Sequence, residues 1–78
     1  MSRAFNKLSA KAVEKATKYG TYSDGGGLSL IVKPDRRAWQ FRYTWQGNER
    51  YMGLGSANSV TLAQARTKAT QARQMVAA

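Results

Sequence analysis

Seventy-eight residues suffice for one small domain with a single thin core, since a chain this short buries only roughly 60–65% of the surface it exposes when unfolded. Cysteine and histidine are both absent, which removes disulfides, thiolate metal sites, nucleophilic thiols and every imidazole base, and argues against a self-contained enzyme. Thirteen Lys and Arg against four acidic residues give a formal charge of +9, above the roughly 2–8 usual for a small soluble domain, and point to a polyanionic partner, nucleic acid first.

In chain order, residues 1–7 read as a loose basic lead-in to a single domain spanning 1–78. Leu8 to Ala16 reads as a short helix, with Ser9 as its cap and Leu8 placed to staple against Val13. Lys15 and Lys18 suit its last turn, and Gly20 its stop. Ser23-Asp24-Gly25-Gly26-Gly27 is a break. Three strands are expected after it: Gly27 to Lys33, Trp39 to Gln46 and Glu49 to Gly55. Pro34 to Arg37 is taken as a four-residue turn between the first two, and Gly47-Asn48 as a two-residue hairpin loop between the second and third. Thr61-Leu62-Ala63-Gln64 then opens a helix with a T-x-x-Q capping box, Val60 facing Ala65 as a staple. Leu62, Ala65, Ala69, Ala72 and Val76 make one apolar stripe along that helix.

The two turns set a register. They pair Val32 with Trp39 and Leu30 with Phe41 on one side, and Thr44 with Tyr51 and Phe41 with Leu54 on the other. One face of the sheet then collects Leu28, Leu30, Val32, Trp39, Phe41, Tyr43, Met52 and Leu54, a match for the alanine stripe. The opposite face collects Ser29, Ile31, Lys33, Gln40, Arg42, Thr44, Gln46 and Tyr51. The fold expected is α+β: a three-stranded antiparallel sheet packed on a C-terminal helix (βββα), with a short N-terminal helix.

The polar face suits a DNA major groove, which is wide enough for β-strands. Lys33 and Arg42 suit guanine edges or phosphates, Gln40 suits adenine, and Ile31 or the Thr44 methyl suits a thymine methyl. Ser29 and Tyr51 lie on the same face, and Arg36 and Arg37 in the turn are phosphate-clamp candidates. In this register Ser29 and Gly53 flank Arg42 and leave its guanidinium unobstructed. Alternation of polar residues on a half-exposed antiparallel sheet is also what ordinary solvation produces, so the pattern alone does not choose. The glycines Gly25 to Gly27 lack the Lys-Ser/Thr of a phosphate loop, and the four carboxylates are scattered, so no metal, cofactor or catalytic residue is expected. No apolar run approaches the roughly 18 residues of a membrane span, and no signal peptide is recognisable, so a cytoplasmic protein without a membrane partner is expected.

Four blocks in order carry a resemblance: Ser23 to Pro34, Trp39 to Tyr43, Met52 to Ser56, and Thr61 to Arg66. Together they resemble the N-terminal arm-type DNA-binding domain of phage and genomic-island integrases, which are tyrosine recombinases. The resemblance covers roughly residues 8–76. It implies a three-stranded sheet on a helix, inserted into the major groove of arm-type sites away from the crossover point. It also implies a non-catalytic piece of a longer integrase, monomeric when isolated, acting in a bacterial host with other integrase protomers during integration and excision. Tyr22 stands where the family usually has an aliphatic residue, and Ala57-Asn58 replaces a Tyr-Pro-like turn, so the base-reading residues rest on the register and not on the resemblance. Two rival readings remain open, an RNA-binding module and a protein-interaction domain within an integrase assembly. The narrow major groove of A-form RNA would exclude the sheet.

Overall fold

The computed structural model describes residues 8–77; the basic lead-in expected at 1–7 lies outside them. The elements run α1 (Ala10–Lys15), β1 (Gly20–Gly25), β2 (Leu28–Lys33), β3 (Arg36–Trp45), β4 (Asn48–Ser56) and α2 (Leu62–Ala77). The strands form one antiparallel sheet in the order β1-β2-β3-β4, and α2 packs on one side of it. The architecture is therefore α+β with a C-terminal helix, but with four strands where three were expected. The extra strand is β1, which runs antiparallel to β2 from Gly20↔Val32 to Gly25↔Leu28. Of its residues, Gly-Thr-Tyr-Ser-Asp-Gly, only Thr21 and Tyr22 favour strands, so its order owes much to pairing with the free edge of β2.

Both expected turns prove to be one step out. Lys33 pairs with Arg36, so Pro34-Asp35 is a two-residue turn and not part of a four-residue one. Proline fixes φ at the first turn position. Trp45 pairs with Asn48, which makes Gln46-Gly47 the hairpin loop in place of Gly47-Asn48. Both of its residues have positive φ, 51° and 77°, as a type I′ turn requires to match the twist of the strands. Each correction moves a register by two residues: Leu28 faces Phe41, Leu30 faces Trp39, Phe41 faces Met52, and Arg42 faces Tyr51. Side chains alternate with period two, so a two-residue slip changes every neighbour but leaves both faces intact.

The core is the expected one but for two residues: Val76, the last of the expected stripe, is half-buried outside it, and Ala16 joins it. Leu28, Leu30, Val32, Trp39, Phe41 and Leu54 are buried against Leu62, Ala65, Ala69 and Ala72 of α2, while Tyr43 and Met52 are half-buried at its edge. Thr61 and Gln64 form the capping box, the Gln64 amide donating to Thr61 Oγ1 (3.2 Å) and the Thr61 amide to Gln64 Oε1 (2.9 Å). A bulge in β4 sets Leu54 between the pairs Gln40↔Gly53 and Trp39↔Gly55, and Trp39 Nε1 donates to the carbonyl of Val60 in the loop before α2 (2.8 Å).

Helix α1 is capped by Ser9, whose Oγ accepts from the Ala12 amide (3.0 Å), but it ends at Lys15, short of Lys18. Gly20, expected as its stop, instead opens β1 with φ 146°. The α1 segment lies on the helix side of the sheet, with Ala16 in the core and Leu8 tied to a polar latch. Asp24 accepts from Arg66 Nε and Nη2 (2.9 Å each) and from the Leu8 amide (2.8 Å), and Arg66 Nη2 also donates to the Leu8 carbonyl (2.7 Å).

Candidate nucleic-acid interface

With α1 and α2 both on the core side, the opposite face of the sheet carries no helix among the described residues. The register arranges it in rows across the strands. Lys33 and Arg36 meet at the β2–β3 turn, followed by Thr21, Ile31 and Ala38, then Ser23, Ser29, Gln40 and Gly53, then Arg42 and Tyr51, and last Thr44 and Glu49. Eight of the nine residues singled out from the sequence thus share one surface: Ser29, Ile31, Lys33, Arg36, Gln40, Arg42, Thr44 and Tyr51. Ser29, Ile31 and Gln40 are half-buried in its floor, and the other five are exposed.

Arg37 does not join them. A two-residue turn puts it on the same side as Trp39 and Phe41, where it donates through Nη2 to the Val13 carbonyl and ties α1 to the sheet. Its buried Nε has no hydrogen-bond partner among the described residues. Arg37, expected as a phosphate clamp, is thus placed on the helix side as a tie between α1 and the sheet, while Arg36 keeps the outward position.

The neighbours expected around Arg42 belong to Gln40. Ser29 and Gly53 lie beside Gln40, and two shallow depressions meet there. One, of about 490 Å³, is lined by Thr21, Ser23, Gly27, Ser29, Gln40, Arg42 and Tyr51. The other, of about 240 Å³, includes Ile31, Lys33, Arg36, Gln40 and Gly53. Arg42 instead stands beside Tyr51, with its guanidinium 4.0 Å from Glu49 Oε2 and its side chain 62% exposed. Tyr51 Oη donates to Glu49 Oε1 (2.6 Å). That hydrogen bond, followed by the Glu49 charge, pushes the Tyr51 phenol above its ordinary pKa.

The backbone under Arg42 is fixed by the β1–β2 turn. Its amide donates to the Gly27 carbonyl (2.8 Å), and a Cβ on Gly27, whose φ is 93°, would lie 2.5 Å from the Arg42 carbonyl oxygen. Only glycine fits there.

Three residues of this surface escaped sequence reasoning. Thr21 and Ser23 came with the unrecognised β1; the alternation of Thr21 and Ser23 around Tyr22 was their only signal. Glu49, acidic on a basic chain, carries no such signal in the sequence.

A small α+β domain with one sheet face under a helix and the other, among the described residues, uncovered, polar and cationic is suited to bind an anionic surface. A sequence model of the Arm DNA-binding domain family matches residues 6–78, nearly the whole chain, and the protein belongs to that family. Domains of this family are non-catalytic DNA-binding modules of integrase-like proteins, and DNA binding is the role this one carries. Among curated proteins, none matches the chain.

Proposed function

We infer that the domain binds duplex DNA by laying the outward face of β2–β4 in the major groove of arm-type sites. There it anchors a tyrosine recombinase during integration and excision, alongside other integrase protomers in the cytoplasm of a bacterial host. The observation that carries this reading is the gathering of Lys33, Arg36, Gln40, Arg42 and Thr44 on a sheet face that no helix covers among the described residues. Three strands span about 10 Å between outer axes, within the roughly 12 Å of the groove. The fourth strand, β1, then falls at the rim, where Thr21 and Ser23 face phosphates. Lys33 and Arg36 at the turn serve phosphate, and Gln40 and Arg42 serve base edges.

The test is a titration of the chain with duplex DNA over a range of salt concentrations, with duplex RNA of the same sequence beside it. About four to six phosphate contacts give a log–log slope of roughly −3.6 to −5.4. Arg36→Ala should weaken all sequences alike and flatten the slope by about one unit, whereas Arg42→Ala should reduce discrimination by about 1–3 kcal/mol. Equal affinity for A-form RNA would favour an RNA-binding module, and a slope near zero a protein partner.

A further inference from the structure

Glu49 is out of place on this surface. Among the described strand residues of the outward face it is the one carboxylate, paired across the ladder with Thr44 and standing beside Arg42. Its pairing with Arg42 does little for the fold, since a 4.0 Å ion pair between side chains 62% and 54% exposed is screened by water. Yet it is held: Tyr51 Oη fixes Oε1 at 2.6 Å, which leaves Oε2 facing the Arg42 guanidinium beyond hydrogen-bond distance. A donor fork and an acceptor therefore stand side by side, each with hydrogen-bonding capacity left.

That pattern has a complement in the major groove. A bidentate arginine needs two adjacent acceptors, which guanine provides in N7 and O6. The next group along the edge of the same pair is the cytosine N4 amino donor, which a carboxylate accepts from. An A·T pair offers N7, the N6 amino group and thymine O4 in turn, so its amino group meets the fork and its O4 meets the carboxylate. Two of those contacts are repulsive.

We propose that Glu49 is a specificity-determining residue, its carboxylate accepting from cytosine N4 in the G·C pair whose guanine Arg42 takes. Tyr51 is a positioning residue that holds the carboxylate. Glu49 also works by exclusion: a negative charge beside Arg42 opposes any docking that would put a phosphate there, so Arg42 is reserved for bases. This rests on the reading of the sheet as a major-groove surface.

The experiment is selection from a library of duplexes with a random core, using the 78-residue chain, Glu49→Gln, Tyr51→Phe and Arg42→Ala. Duplexes that differ at the selected pair are then titrated. The wild type should select G·C at one position, and Glu49→Gln should lose roughly five- to 150-fold in discrimination against A·T at that position. It should bind random duplexes more tightly than the wild type. Arg42→Ala should relax the same base pair, and Tyr51→Phe should do so to a smaller extent. If Glu49→Gln selects the same sequence with undiminished discrimination, or relaxes a different pair from Arg42→Ala, the proposal is overturned while the DNA-binding reading stands. Equal loss for all sequences with a lowered melting midpoint would likewise overturn it, marking Glu49 as a support of the hairpin. Absence of salt-dependent binding by the wild type would remove the DNA reading itself, and this proposal with it.

Discussion

Trp39 and Phe41 alternate along β3 with Gln40 and Arg42, and the two pairs obey different rules. Trp39 and Phe41 are 1% and 2% exposed, against a helix that presents alanines at Ala65, Ala69 and Ala72. Large side chains on the sheet meet small ones on the helix, so the fit depends on shape and a deleted ring leaves a hole. Gln40 and Arg42 have no such counterpart above them among the described residues. The difference teaches that one face of the sheet carries the stability of the domain, and the other is free to be shaped by what it binds.

The sharpest way to break this contrast is Phe41→Ala set against Gln40→Ala. The first should cost about 3–5 kcal/mol, most of the stability of a domain this size. The second should change stability by less than about 0.5 kcal/mol while altering DNA affinity. Thermal melts of both variants decide; a near wild-type melt for Phe41→Ala would mean that the faces are reversed.

A smaller effect sharpens the contrast, because the helix side holds one buried carboxylate. Burial alone would raise the Asp24 carboxyl, but the hydrogen bonds from Arg66 and the Leu8 amide, with the Arg66 charge, outweigh it and hold it below the ordinary value. A folded-state value below the unfolded one stabilises the fold at pH above the unfolded value, and that contribution is lost as pH falls through the folded value. The wild-type melting midpoint should therefore drop on acidification below about pH 4. Asp24→Asn should cost about 1–3 kcal/mol at neutral pH, less than a fully buried pair because Arg66 is one-third exposed, and should flatten that acid limb.

The smallest effect concerns the β3–β4 turn. Gln46 holds φ 51°, a conformation that costs an ordinary side chain about 1–2 kcal/mol and that asparagine tolerates better. Gln46→Asn should raise the melting midpoint by up to about 1 kcal/mol equivalent, without altering either face.

The alternation along Trp39 to Gln46 was enough to sort residues to faces, and the capping box and alanine stripe were enough to place α2. Neighbour relations were not legible, because two-residue and four-residue turns are both compatible with Pro34 to Arg37 and only the folded backbone chooses. That is why Tyr51 and Gly27, and not Ser29 and Gly53, surround Arg42. The same choice of turn carried Arg37 to the helix side. Strand β1 was hidden because its stability lies in its partner: two glycines, Thr21 and Ser23 give no apolar signal, and Tyr22 alone packs against the core. Glu49 was hidden because composition counts its charge against nucleic acid, whereas its position beside Arg42 and Tyr51 gives that charge a use.

The strand order has a kinetic side. Each strand pairs with its sequence neighbour, and each turn between them is two residues long: Gly26-Gly27, Pro34-Asp35 and Gln46-Gly47. Short loops cost little entropy to close, so the sheet can zip hairpin by hairpin on the fast side of the range for β-containing domains. The latch is the reverse case, joining Asp24 to Arg66 across 42 residues and Leu8 to Arg66 across 58. Contacts of that span close the longest loops, so they are expected to form after the sheet and α2 have met. Asp24, Arg66 and the Leu8 backbone are therefore expected to act on how slowly the domain opens more than on how quickly it forms, with the α1 segment, residues 8–19, the first of the described elements to come away.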